Sequence, residues 1–199
     1  MKKILITGGC GYVGSRLIEK LINKYQIKNI DTKWFGNKRG QHSNLINIKE
    51  DIRNLKNRFI EQDTQAVLHL ANIANDPSVE LDQTLSWEVN VLAAKTLIEE
   101  SIKAGVKKFI YASTCSVYGI SDSPNVVETN ELKPITDYNK YKALCEPILQ
   151  KYLDEKFQGI IIRPATVCGF SEKMRFDLTV NILTNYAYNK GYIRVFGGK

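Results

Sequence analysis

Apolar residues along this chain follow two rhythms. Short, nearly unbroken runs appear as KKILIT at 2–7, IKNID at 27–31, NLINIKEDI at 44–52, QAVLHLA at 65–71, VKKFIYAST at 106–114 and GIIIRPATV at 159–167. Their length and β-branched content suit strands buried on both faces. Between them apolar positions recur three and four apart, the period of a helix with one buried stripe. Val13, Leu17, Leu21 and Ile22 mark a helix over about 12–24, and NLKNRFIEQ reads as a polar helix. Leu81, Leu85, Val89 and Leu92 form one stripe of a long helix over 80–104. Leu144, Ile148 and Tyr152 lie four apart in a second long helix over 137–157, which Pro147 is expected to bend near 143–147 or to divide. Strands alternating with helices imply βαβ units and a parallel sheet, an α/β fold.

Composition narrows the picture. The chain has 199 residues, 43% hydrophobic and 25% charged, enough for one ordinary domain with a core. The four cysteines, at 10, 115, 145 and 168, are too far apart for a metal-ligand pair or a short disulfide framework. Reduced thiols in a cytoplasm and no bound metal are therefore expected. No apolar run approaches a membrane span, and the stretch after Lys2 and Lys3 is too short for a signal peptide. The net charge of +7 is spread without a basic run, which favours an anionic small molecule over nucleic acid. His69 lies inside a strand and reads as a core histidine; His42 sits in a polar loop.

The glycines at 8, 9, 11 and 14 cluster where the first strand meets its helix, in TGGCGYVG. They fit both Gly9-x-Gly11-x-x-Gly14 and Gly8-x-x-Gly11-x-x-Gly14. Missing side chains let a pyrophosphate approach the backbone, and the helix N-terminus presents unpaired N–H groups to it. Asp31 ends the second strand about 20 residues on, where a carboxylate binds the adenosine ribose hydroxyls. This points to a Rossmann-type doubly wound parallel sheet. Asp31 would repel the 2′-phosphate of NADP, so NAD is the expected cofactor; Lys33 nearby keeps NADP open.

In DYNKYK, Tyr138 and Lys142 stand four apart and share one helix face. A tyrosine is a poor base at neutral pH, and a neighbouring ammonium moves its pKa toward the useful range. Ser113 and Thr114 end the fifth strand, at the carboxyl edge where open α/β sheets bind ligands.

These segments together resemble the extended branch of the short-chain dehydrogenase/reductases, the NAD-dependent epimerase/dehydratase family acting on nucleotide sugars. The resemblance runs through ITGGCGYVGSRL, EDIR around Asp51, VLHLANIANDPS, Val89-Asn90, GVKKFIYASTCSVYG, Tyr138-x-x-x-Lys142, RPATVCG, TVNILT and VFGG. It implies that Gly8, Gly11 and Gly14 hold the pyrophosphate, with Tyr12 and Val13 packing beside it. Asp31 would take the adenosine ribose, and Asp51 with Ile52 would lie against adenine. Leu70, Ala71 and Asn72 would line the cofactor, with Asn72 replacing the family's usual alanine. Thr114 matches the catalytic serine or threonine, Tyr138 the base, and Lys142 the residue that binds the nicotinamide ribose and tunes that base. Pro164 would pack near the nicotinamide. Asn181 matches a residue that binds the substrate diphosphate, and Val195 with Phe196 a stretch beside the substrate's nucleotide base.

The chemistry implied is proton removal from a sugar hydroxyl by Tyr138 while Thr114 holds that oxygen, with hydride passing to NAD to leave a keto sugar. The family's 4,6-dehydratases follow the catalytic threonine with an Asp-Glu pair; here Cys115 and Ser116 stand there. An epimerase is therefore the leading expectation. A dehydratase, a keto-sugar reductase and a non-catalytic dinucleotide-binding protein are the alternatives. The resemblance also implies a homodimer paired through the two long helices. Family members run to about 300 residues or more, as a two-part α/β enzyme needs. Residues 1–165 then read as the NAD-binding domain and 166–199 as the start of an incomplete substrate-binding portion, in a piece of a longer protein or a shortened reading frame.

Overall fold

The computed structural model describes residues 1–36, 40–55, 59–121 and 124–195. Its centre is a sheet of β1 (Lys2–Thr7), β2 (Tyr25–Asp31), β3 (Leu45–Lys49), β4 (Thr64–His69), β5 (Lys108–Ala112) and β6 (Gln158–Ile162). The strand order is β3-β2-β1-β4-β5-β6, and every neighbouring pair is parallel. The expected doubly wound topology is therefore observed. From β1 the chain winds outward to β3, then returns to β4 and winds the other way. The carboxyl ends of β1 and β4 thus bound the crevice where the winding reverses, which is where such sheets bind ligands.

Alternation within each strand builds two cores. Ile4, Ile6, Ile27 and Leu68 meet Ile18 and Ile22 of the helix α1 (Tyr12–Leu21) and the turn after it. Leu5, Ile30, Val67, Phe109 and Tyr111 face the other way, against Val89, Leu97, Cys145 and Leu149. Those residues come from a wide π turn over Glu88–Leu92, α4 (Ala93–Lys103) and α5 (Asp137–Gln150); Val79 of α2 (Asp76–Leu81) and Leu85 of α3 (Gln83–Trp87) join the same core. On the α1 side the cover stops short of β6. Ile160 and Ile162 remain 48% and 49% exposed.

Several expectations need correcting. The single helix over 80–104 is four pieces. The Asp82 backbone is extended and its carboxylate accepts from the Leu85 N–H, starting α3 afresh. The π turn then inserts an extra residue, which shifts the stripe. Of the predicted stripe, Val89 is buried while Leu81 and Leu92 are 87% and 47% exposed. Asn90 is buried there instead, its amide bonded to both the N–H and the carbonyl of Ile73. The α5 stripe is also displaced: Asn139, Lys142, Cys145, Glu146 and Leu149 are the buried positions, and Leu144 is 41% exposed. The helix runs unbroken through Pro147, which lies on its solvent side, and stops at Gln150 rather than 157. In place of the polar helix stands one turn of 3-10 helix at Ile52–Asn54; positions 56–58 lie outside the described residues. The helix α6 (Thr179–Lys190) was not anticipated from the pattern.

Candidate active site

The glycine turn joins β1 to α1. A side chain at Gly8 would put Cβ 2.5 Å from the Ala71 nitrogen, and one at Gly14 would put it 2.4 Å from the Gly8 carbonyl oxygen. Gly8 also has φ of +78°, a left-handed conformation that L residues rarely adopt. Two of the three expected pyrophosphate glycines are thus required by the protein's own packing. Gly11 is different: its backbone is extended and a Cβ there would meet only the Gly8 oxygen, at 3.3 Å. Its open side is where a ligand can approach the first turn of α1, whose leading N–H groups have no carbonyl within the helix to bond. Val13 of that turn is 45% exposed, and Tyr12 is buried.

Asp31 closes β2 beside this turn. One carboxylate oxygen accepts from the Cys10 N–H at 2.9 Å and the other from the Lys33 N–H at 2.7 Å. Each oxygen keeps a further lone pair for a hydroxyl. The Lys33 ammonium is directed to the Asn47 carbonyl at 3.4 Å, in the middle of β3. Asp51 starts the 3-10 turn by accepting from the Arg53 N–H, and it also pairs with the Arg53 guanidinium. Burial acts to raise its pKa, but the Arg53 contacts outweigh it and hold the carboxylate below its usual range. Ile52 is buried next to it.

Past β4, the Leu70 N–H donates to the Thr7 carbonyl, and Ala71 packs on Gly8. Asn72 follows, with both amide atoms buried and without a hydrogen-bond partner among the described residues. A buried amide of this kind is costly unless something pairs with it. His69 is the satisfied core histidine expected: its Nδ1 bonds the Thr7 hydroxyl at 2.7 Å, and burial together with the Lys142 charge lowers its pKa to about 3.

Tyr138 and Lys142 share the α5 face turned toward the end of β5. The Lys142 ammonium donates to the Ala112 carbonyl at 2.7 Å and lies 6.0 Å from the centre of the Tyr138 ring. Burial lowers its pKa to about 8. The Tyr138 phenol behaves differently from expectation. Burial pushes it up, and the opposing positive charge is that of Arg175 rather than Lys142, because the lysine is turned to the strand-end carbonyl. The Asp76 carboxylate and Cys115 thiol act in the same upward direction. Thr114 is half-buried, and its hydroxyl accepts from the Ser116 N–H and donates to the Ser116 hydroxyl. The Pro164 carbonyl accepts from the Cys115 N–H, so Pro164 lies beside the same turn. A cavity of about 310 Å³ opens next to Tyr138, lined in part by Asp76, Glu80, Thr136 and Asp137.

The segment beyond β6 folds back onto the glycine turn. Tyr12 donates its phenol O–H to the Gly169 carbonyl at 2.7 Å, and the Ser15 and Ser171 hydroxyls share a hydrogen bond. Asn181, expected at a substrate diphosphate, is buried in this seam. Its amide accepts from the Gly169 N–H and donates to the Tyr12 oxygen and the Arg175 carbonyl. Val195 is 79% exposed, and Phe196 lies outside the described residues. Sequence reasoning passed over Arg175, Glu146 and Arg163. Only Glu146 carried a signal, standing eight residues after Tyr138 on the same helical face.

Fold and site together define a Rossmann-type dinucleotide-binding protein that carries a tyrosine and a lysine four apart on the helix beside the β5 end. The family model for the NAD dependent epimerase/dehydratase family matches residues 4–197, and the chain belongs to that family. It is 30% identical over 171 residues to a UDP-glucose 4-epimerase of Rhizobium meliloti, covering 83% of this chain and 52% of that protein. It is 31% identical over 188 residues to the human dTDP-D-glucose 4,6-dehydratase, with 84% and 52% covered. A Bacillus cereus UDP-glucuronic acid 4-epimerase solved with UDP-glucuronic acid and NAD superposes with a TM-score of 0.82 at 26% identity, over 98% of this chain and 66% of that one. The chain spans about half the length of the curated relatives it matches.

Proposed function

We propose that this chain carries the cofactor half of an NAD-dependent nucleotide-sugar epimerase. The carrying observation is the placement of Tyr138 and Lys142 on one face of α5, against the strand end that presents Thr114. The residues fit the dinucleotide. The first turn of α1 and the open side of Gly11 suit the pyrophosphate, Asp31 the adenosine ribose, and Asp51 with Ile52 the adenine. Asn72, three residues past the end of β4, keeps both amide atoms buried without a partner among the described residues, and a cofactor bound beside it would supply one. The Leu70–Ala71 backbone and Pro164 complete the lining.

When bound, the nicotinamide supplies a two-electron acceptor for a sugar carbon and a positive charge that opposes the upward push of burial on Tyr138. Tyr138 takes the proton of the sugar hydroxyl, and the Thr114 hydroxyl donates to that oxygen and keeps it in place. Lys142 anchors the nicotinamide ribose and carries the ammonium that steadies the phenolate. The turn after Thr114 carries Cys115 and Ser116 and no carboxylate, which supports epimerisation over 4,6-dehydration. Residues 166–195 would begin the part that meets the sugar nucleotide; Asn181, whose amide is bonded within the seam, would hold that part to the glycine turn rather than bind the diphosphate itself.

A homodimer belongs to the same reading. Trp87, Leu92 and Leu144 are exposed on the outer side of the paired helices, and Trp87 packs edge-on against Tyr141. The four thiols are unbridged, in keeping with a cytoplasmic enzyme. No described helix is long and apolar enough to cross a membrane. Calorimetric titration with NAD, followed by a turnover screen on UDP- and dTDP-sugars, tests the proposal. NAD binding is expected, with little sugar conversion by the 199 residues alone. A chain that binds neither NAD nor NADP would overturn it.

A further inference from the structure

Below Lys142 on the same face of α5 lies a buried ion pair that the chemistry above does not use. Glu146 has a side chain 2% exposed, and it faces Arg163, 15% exposed, the first residue after β6. The pair is two-pronged: the Arg163 Nε lies 3.0 Å and its Nη2 2.5 Å from the carboxylate oxygens. Each partner also reaches the segment that carries Thr114. The Ser113 hydroxyl donates to Glu146 at 2.5 Å. The Arg163 Nη1 donates to the Tyr118 phenol oxygen at 2.6 Å, and the guanidinium lies 4.9 Å from the centre of that ring. Ser113 immediately precedes Thr114, and Tyr118 ends the 3-10 turn that follows it.

We infer that Glu146 and Arg163 are positioning residues that clamp both ends of the 113–118 segment and thereby hold the Thr114 hydroxyl against Tyr138. The spacing explains the mechanical link. Tyr138, Lys142 and Glu146 are four residues apart on one rigid helix, so one element sets the base, the Ala112 carbonyl contact and the Ser113 contact together. A planar guanidinium suits this task because its fixed fork holds the carboxylate while a third N–H reaches Tyr118. Stability alone does not call for such a pair. Burying two charges is expensive, and an apolar pair of similar volume is often as stable. The inference rests on the reading of Thr114 as the group that holds the substrate oxygen.

Cys115 reports on this segment. Its thiol is half-buried, and its N–H is held by the Pro164 carbonyl. The test measures iodoacetamide labelling of Cys115, resolved by peptide mass from the other three cysteines, in the 199-residue chain. Glu146→Gln and Arg163→Lys are expected to label several-fold faster than the parent, because each loses one arm of the fork. The double variant Glu146→Leu with Arg163→Met decides between clamp and core. It is expected to melt near the parent temperature yet still label fast at Cys115. Parent-like labelling in that double variant would mean that the pair only fills space, and would overturn the inference. If the single variants fail to fold, the double variant still decides. In a chain that turns over a nucleotide sugar, the double variant should lower kcat and leave NAD affinity unchanged. A longer chain, extended beyond these 199 residues, that shows no turnover counts against the enzymatic reading alone, since the labelling result does not depend on it.

Discussion

The Asp31 carboxylate accepts a hydrogen bond from the Cys10 N–H at 2.9 Å, tying the end of β2 to the middle of the glycine turn. The acid is thereby set beside the glycine turn, where the proposed cofactor would lie. Asp31→Asn keeps the shape and removes the charge. NAD affinity should fall roughly tenfold or more, the loss expected for hydrogen bonds to a charged group. The preference for NAD over NADP should narrow at the same time. Calorimetry with both dinucleotides measures this, and a parent chain that binds NADP as tightly as NAD would refute the role given to Asp31.

Two glycines of the turn should fail in different ways. Gly14→Ala drives Cβ to 2.4 Å from a backbone oxygen, so the turn must shift. Destabilisation of about 1–3 kcal/mol, typical of overpacking, is expected. Gly11→Ala meets one atom at 3.3 Å on an extended backbone, so the fold should survive while NAD binding drops. Thermal melts paired with NAD titration separate the two. Equal effects on melting and binding in both variants would contradict the distinction.

Tyr138→Phe removes one hydroxyl and keeps the ring in place. In a chain that turns over, kcat should fall by about two to four orders of magnitude, the contribution of a positioned acid or base. NAD affinity should stay near that of the parent. Lys142→Ala should lower both, because the ammonium is assigned to the ribose as well as to the phenol. Retained turnover in the phenylalanine variant would show that the tyrosine is not the base.

His69 predicts an acid-sensitive core. Its folded pKa of about 3 lies below the ordinary value of 6.5, so the unfolded chain binds the extra proton as pH falls. The stability it contributes is complete above pH 6.5 and is lost progressively from there toward pH 3. At pH 5 the loss amounts to about 2 kcal/mol. Urea unfolding at pH 7 and pH 5 measures it. In His69→Gln, which keeps a polar partner for Thr7, the difference between the two pH values should shrink.

The proposed dimer has a simple test. Leu92→Glu combined with Leu144→Glu places charge on two exposed apolar positions of the paired helices. The parent should scatter light as a dimer and the double variant as a monomer, with NAD binding retained. A monomeric parent at micromolar concentration would show that this face has no second copy.

Much of the fold was legible because the strands are short apolar runs and the glycine turn is local. β1, the turn, α1 and Asp31 all lie within 31 residues, and the chemistry of each follows from its neighbours in the chain. Tyr138 and Lys142 were legible for the same reason, since a spacing of four already places them on one face. Periodicity misled where side chains act on backbone far from their own stripe. Asp82 restarts a helix, and Asn90 reaches across 17 residues to Ile73. Neither event changes the hydrophobic count that the pattern reads.

What the sequence determined alone was the order of the strands, the glycine turn between β1 and α1, and the four-residue spacing that puts Tyr138 and Lys142 on one helix face. Only the tertiary structure decided which of them act together. Gly8 is required by Ala71, a crowding visible only once β4 lies beside β1, whereas Gly14 is required by the fold of the turn itself. The direction of the Tyr138 pKa depends on how deeply α5 is buried and on an arginine 37 residues away. Glu146 meets Arg163 because α5 packs beside the end of β6, and Asn181 meets Tyr12 because the segment after β6 folds back onto the glycine turn. Hydrogen bonds and charge burial depend on distances in space, and those distances exist only after the sheet has brought its strand ends together.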